Sequence, residues 1–126
     1  MSGRNLLLDS NIVIYTAQKK LAPEAFTQPD DALSISDITF METLGYVFSD
    51  PVERKETEDL LSIIYRLPIT EPIVQKVIEI RQSRRIKLPD AIIAATALLH
   101  DCTLVTRNIS DFTGLPGLRM LDPFAP

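Results

Sequence analysis

Three consecutive leucines, Leu6, Leu7 and Leu8, stand between polar Asn5 and Asp9 near the start of the chain. A short unbroken apolar run with polar ends reads as a strand covered on both faces. Ser10 or Asn11 then caps a helix through Ile12, Val13, Ile14 and Tyr15. Pro23 and Pro29 bracket a helical turn or loop. From Ala32 to Ser36 apolar and polar residues alternate, which predicts a second strand. Asp37 follows as an N-cap for a helix through Ile38, Met41, Glu42, Leu44, Val47 and Phe48.

Asp50-Pro51 opens an amphipathic helix with Val52, Leu60, Leu61, Ile64 and Leu67 on its apolar side. A short strand near Leu67 to Ile69 precedes Thr70-Glu71-Pro72, a cap-and-proline helix start. That helix carries Ile73, Val77 and Ile80 toward Arg84, and an alanine-rich helix opens at Lys87-Leu88-Pro89-Asp90 and runs to about His100. Thr103 to Thr106 reads as a strand, Ile109 to Phe112 as a helical turn, and Arg119 to Leu121 as a final strand. Strands alternating with helices predict a three-layer α/β/α fold, with helices on both faces of a mainly parallel sheet of about five short strands. No repeat, low-complexity tract or linker interrupts the pattern, so one domain is expected over residues 1–126.

Composition narrows the chemistry. Lys plus Arg number 13 against 17 Asp plus Glu, a net charge of -4, which argues against gripping nucleic acid by bulk positive charge. One histidine, His100, and one cysteine, Cys102, build neither a zinc site nor a disulfide, and both are read as structural. Gly3, Gly45, Gly114 and Gly117 form no phosphate-binding loop. Any catalysis must therefore rest largely on carboxylates. The leucine run is too short for a secretory signal, and no apolar stretch approaches the roughly 20 residues of a membrane span. With a lone cysteine, this suggests a cytoplasmic protein without a membrane partner.

Four acids stand apart from the solvated ones. Asp9 closes the first strand, where parallel α/β sheets bind ligands beyond their carboxyl ends; the alternative is a helix N-cap, a role that Ser10 or Asn11 could fill instead. Glu42 lies on a largely apolar helix with no basic residue between Asp37 and Pro51, so it is either at an exposed edge or paired with a distant group or a metal. Asp90 sits in the first turn of its helix, where the dipole favours a carboxylate by roughly 0.3–1 kcal/mol. Asp111 follows a strand and a polar turn, together with Thr106 and Asn108, and fits an ordinary capped turn as well as a site. If all four meet at one end of the sheet they repel, since two like charges at roughly 4 Å cost about 4 kcal/mol at an effective dielectric of 20. Such a cluster takes up protons or divalent cations. All-oxygen ligation suits Mg²⁺ or Mn²⁺, ions that assist phosphoryl transfer.

The residues around these acids carry a resemblance. Leu6-Leu7-Leu8-Asp9-Ser10-Asn11-Ile12-Val13-Ile14-Tyr15 resembles the opening of PIN domains, in particular of VapC-type toxins. Ser34 to Ser36, leading through Thr39 to Glu42, resembles the second acidic motif of that family. Leu88 to Ala97 resembles the third, and Leu104 to Asn108 with Asp111-Phe112 the fourth. The motifs occur in order over nearly the whole chain. The resemblance implies a metal-dependent endoribonuclease with a PIN-like fold. Asp9 and Asp90 would be central ligands of a first Mg²⁺ or Mn²⁺, and Glu42 would hold the metal or its water. Asp111, with Asn108, would serve a second or transient ion, although families differ in which of those two positions carries the acid. Ser10, Asn11 and Thr106 would orient the carboxylates by hydrogen bonds.

An RNA substrate would need cationic contacts. Arg81, Arg84, Arg85 and Lys87 lead into Asp90 and are read as phosphate contacts, with Arg107 a further one; a cationic helix C-terminus accounts for one or two of them. The resemblance also implies a homodimer and a cognate antitoxin whose tail fills a groove, with the helix from Asp50 to Leu67 as one wall. A PIN fold acting only by binding is the main alternative. Receiver-type and haloacid-dehalogenase-type phosphoryl transfer fit poorly: position 11 is Asn, and no Lys follows residue 87. Setting the four proposed ligands aside leaves 13 acids against 13 cations, which concentrates the excess negative charge in one site.

Overall fold

The computed structural model describes residues 3–125. Its centre is a five-stranded, wholly parallel sheet in the order β3-β2-β1-β4-β5. The strands are β1 (Asn5–Leu8), β2 (Ala32–Ser36), β3 (Tyr65–Leu67), β4 (Thr103–Val105) and β5 (Met120–Leu121). Five helices join them: α1 (Ser10–Ala17), α2 (Asp37–Leu44), α3 (Pro51–Ser62), α4 (Glu71–Ser83) and α5 (Leu88–Leu99). Short 3₁₀ turns span Pro23–Ala25 and Ile109–Asp111.

The leucine run explains the layering. Successive strand side chains point to opposite faces. Leu6 and Leu8 pack with Ile12, Val13, Ile35, Leu61 and Val105 beneath α1 and α3. Leu7 packs on the other face with Ile73, Val77, Ile93 and Leu104 beneath α4 and α5. All three leucines are buried, as a strand between two helical layers requires. The alanines of α5, Ala91, Ala94, Ala95 and Ala97, are buried and bring this helix close against α4.

Several boundaries depart from the sequence expectations, each for a local reason. Asp9, rather than Ser10 or Asn11, is the N-cap of α1: its Oδ1 accepts from the Ser10 amide at 2.8 Å. Ser36, rather than Asp37, caps α2, its Oγ accepting from the Ile38 amide at 3.1 Å. Asp37 turns instead to β3 and the segment after it, pairing with Arg66 of the strand at 3.3 Å and accepting from the Ile69 amide at 3.2 Å. That segment is therefore a connection, and the strand lies earlier, at Tyr65–Leu67. Helix α2 stops at Leu44 rather than near Phe48. The Gly45 amide closes the last turn on the Met41 carbonyl at 2.8 Å, and a Cβ at Gly45 would stand 2.6 Å from that oxygen. Tyr46 and Phe48 then leave the helix and pack edge to face on each other, with centroids 5.4 Å apart. Val52 faces solvent on α3, where buried Thr57 takes a place on the inner side. Thr106 and Arg119 lie just outside the strands expected to hold them.

Candidate active site

The strand order reverses direction at β1 and β4, neighbours in the sheet that are distant in sequence. In open parallel sheets, ligands bind beyond the carboxyl ends of strands at such a switch point. Asp9 and Thr106 each follow the last residue of these two strands. The Asp9 amide donates to the Val105 carbonyl at 2.9 Å, extending the β1–β4 ladder by one bond.

Asp9 is 6% exposed, and each of its carboxylate oxygens accepts one hydrogen bond. Its Oδ2 accepts from Thr106 Oγ1 at 2.8 Å, and its Oδ1 from the Ser10 amide. Thr106 Oγ1 in turn accepts from the Asn108 amide at 3.0 Å, so the loop after β4 is tied to the same carboxylate. Burial pushes the Asp9 carboxyl above the usual range; the bonds from Thr106 and Ser10 oppose this, and the charges of Glu42 and Asp111 add to it.

Ser10 links two of the acids. Its amide serves Asp9, while its Oγ donates to Glu42 Oε1 at 2.7 Å and lies 3.3 Å from Thr39 Oγ1. Helix α2 thereby presents Glu42, itself exposed, to the start of α1. Buried Thr39 is a residue to which sequence reasoning gave no role of its own. Its position one turn before Glu42 on the same helix face was the available signal.

Asp90 is half-buried in the first turn of α5. Its carboxyl is pushed up to about 6, first by burial, then by the charges of Asp9 and Asp111, with Glu42 adding less and Lys87 opposing. Asp111 ends the 3₁₀ turn and is exposed. The four acids thus stand within one another's electrostatic reach, at one end of the sheet. Among the described residues, no three His, Cys, Asp or Glu side chains converge closely enough to enclose a metal ion. The donor set is nonetheless all oxygen, of concentrated negative charge, and fits a hard divalent cation in kind.

The basic residues separate into distinct groups. Arg85 and Lys87 line an open cleft of about 380 Å³ with Ile86, Asp90, Ser110 and Asp111. Arg84 is engaged elsewhere, donating to the Thr113 carbonyl at 2.7 Å. Arg81 lies in the last turn of α4, and Arg107 lies over the rings of Tyr15 and Phe124. Asn11 makes no hydrogen bond to the acids, and its Oδ1 is buried without a partner. Asn108 contributes its amide, while its side chain is not used as a cap. Cys102 is buried, its Sγ 3.6 Å from the His100 carbonyl, and His100 ends α5.

Comparison with known proteins places this geometry. The family model described as PIN domain matches residues 6–114. A chain of a toxin-antitoxin complex from Klebsiella pneumoniae is 36% identical, with a TM-score of 0.74, and the match covers 96% of this chain and 99% of that one. A chain of VapBC-1 from nontypeable Haemophilus influenzae is 26% identical with a TM-score of 0.75, covering 96% and 99%. A chain of DNA-bound VapBC from Salmonella typhimurium shares the fold, with a TM-score of 0.79 at 24% identity over 95% and 98%. No curated protein sequence is significantly similar to the chain.

Proposed function

The chain belongs to the PIN domain family, and on that premise we propose that it is a VapC-type toxin that hydrolyses RNA phosphodiester bonds with Mg²⁺ or Mn²⁺. The observation that carries this reading is the placement of Asp9, Glu42, Asp90 and Asp111 beyond the ends of the strands and within one another's electrostatic reach, where burial and then the neighbouring acids push Asp90 up to about 6. Carboxylates that raise one another's proton affinity form a site for positive charge. Asp9 and Asp90 would hold the cation, with Glu42 and Asp111 beside them. When bound, such a cation lowers the pKa of a ligated water and neutralises charge developing on the phosphate.

The chain's own residues prepare that site. Thr106 and the Ser10 amide fix both oxygens of Asp9, so this carboxylate needs no reorientation as charge develops nearby. Ser10 Oγ orients Glu42. Arg85 and Lys87, on the cleft wall beside Asp90, would take phosphate oxygens of the RNA.

A cognate antitoxin is the proposed partner, since a chain 36% identical to this one comes from a toxin-antitoxin complex; the homodimeric, cytoplasmic state is carried over from the family resemblance. A crevice of about 80 Å³ between α1, α2 and α3, lined by Ile14, Tyr46, Phe48 and Thr57, lies on the wall expected to receive the antitoxin tail. The test is cleavage of tRNA and rRNA with either ion by the parent and by Asp9→Asn and Asp90→Asn. Cleavage by the parent alone supports the reading. An inactive parent, or variants as active as the parent, would leave a PIN fold that acts only by binding.

A further inference from the structure

The segment after β5 turns back over α1. Phe124 meets Tyr15 edge to face, with ring centroids 5.4 Å apart at 75°. The Arg107 guanidinium lies 4.5 Å from the Phe124 centroid and 5.4 Å from that of Tyr15. Arg107 directly follows Thr106, which holds Asp9, so this cluster stands beside the carboxyl end of β4. Phe124 keeps 36% of its surface exposed, and Arg107 is exposed as well.

As a clasp for the C-terminal segment the cluster is weak. A solvent-exposed cation–π contact contributes only about 0.5–1 kcal/mol, and an aliphatic residue at position 107 would cover the rings as well. The combination does match another chemistry. Unpaired RNA bases stack on aromatic rings and guanidinium planes, whatever their sequence. Stacking is also the mode of RNA binding that this chain most needs. Its net charge is -4, and of the cationic segment before Asp90 only Arg85 and Lys87 line the acidic cleft. Bulk electrostatics would hold a polyanion poorly, whereas a π surface is indifferent to net charge.

We propose that Tyr15, Arg107 and Phe124 form a subsite that stacks an unpaired nucleobase adjacent to the scissile phosphate. The proposal rests on the ribonuclease reading above.

The chain contains no tryptophan, so Phe124→Trp introduces a single reporter at the subsite. A single-stranded hexaribonucleotide, added without divalent metal, is expected to quench its fluorescence, and an abasic hexamer of equal length is not. Phe124→Ala is expected to weaken hexamer binding roughly 5- to 150-fold, the range for losing one base–aromatic stack. Phe124→Leu, which keeps apolar cover on Tyr15 but has no ring, is expected to weaken it similarly. Equal quenching by the abasic hexamer, or parental binding by Phe124→Leu, overturns the subsite. So does an unquenched tryptophan in a protein whose parent cleaves RNA, and in that case the ribonuclease reading survives. A parent that neither binds nor cleaves RNA brings down both.

Discussion

Thr106 Oγ1 donates a 2.8 Å hydrogen bond to Asp9 Oδ2 across 97 positions of sequence, and the bond is fully buried. It joins the ends of two neighbouring strands and holds the most buried acid of the site. Thr106→Val conserves shape but leaves a buried carboxylate oxygen and the Asn108 amide without this partner. Hydrogen bonds to charged groups contribute roughly 1.5–3 kcal/mol, so the variant should lose about that much stability in urea unfolding at pH 7. Thr106→Ser should retain most of it. Equal stability of Thr106→Val and parent would show that the bond is not what orders Asp9.

Acid titration offers a second check. The Asp90 carboxyl is pushed up to about 6 in the folded chain, against an unfolded value near 3.8. Between those two values the folded state binds more protons, so stability falls as pH rises through this window. Asp9, also raised, acts in the same direction. In metal-free protein, Asp90→Asn should therefore gain roughly 1 kcal/mol over the parent at pH 7.5, after allowance for solvent screening of a half-buried group. Near pH 3.5 the two should unfold alike. A variant less stable than the parent at pH 7.5 would contradict a carboxyl held up by burial and by the neighbouring acids.

Cation binding should reverse that penalty. An ion that binds the folded state alone, at 100 times its dissociation constant, adds about 2.7 kcal/mol. Melting temperature should rise as Mn²⁺ or Mg²⁺ is titrated into chelator-treated protein, and removing the ion should reverse the rise. The increase should largely vanish in Asp9→Asn.

The cationic segment divides into testable parts. Arg85→Ala and Lys87→Ala should each weaken RNA binding and reduce the slope of log affinity against log salt by about 0.7, the value for one phosphate contact on a single strand. Arg84→Ala should leave that slope unchanged and lower stability, because Arg84 holds the Thr113 carbonyl at 2.7 Å. Loss of slope in Arg84→Ala would place a phosphate contact where the structure has a structural tie.

These contrasts follow the limits of reading a chain from its pattern. The two-faced burial of Leu6 to Leu8 was legible because adjacent apolar side chains in a strand leave no solvent face. The places of Asp9 after the first strand and of Asp90 in the first turn of its helix were legible because a leucine run and a Pro-Asp helix start mark them locally. What the pattern could not resolve were choices between neighbours and contacts between distant segments. Ser36 and Asp37 are both good caps, and the outcome depended on Arg66 and the Ile69 amide, some 30 positions away. The diversion of Arg84 to Thr113, and the meeting of Tyr15, Arg107 and Phe124, likewise depend on chain reversals that local periodicity does not encode.

The order of strands has a consequence for synthesis. The central strand β1 precedes the other strands in sequence, but its neighbour β4 and the hydroxyl that secures Asp9 come from residues 103–106. A polypeptide that stops before β4 has Asp9, Glu42 and Asp90 but neither the Thr106 hydroxyl nor Asp111. The acids are therefore brought into register only once residues 103–111 have been added to the elements that precede them.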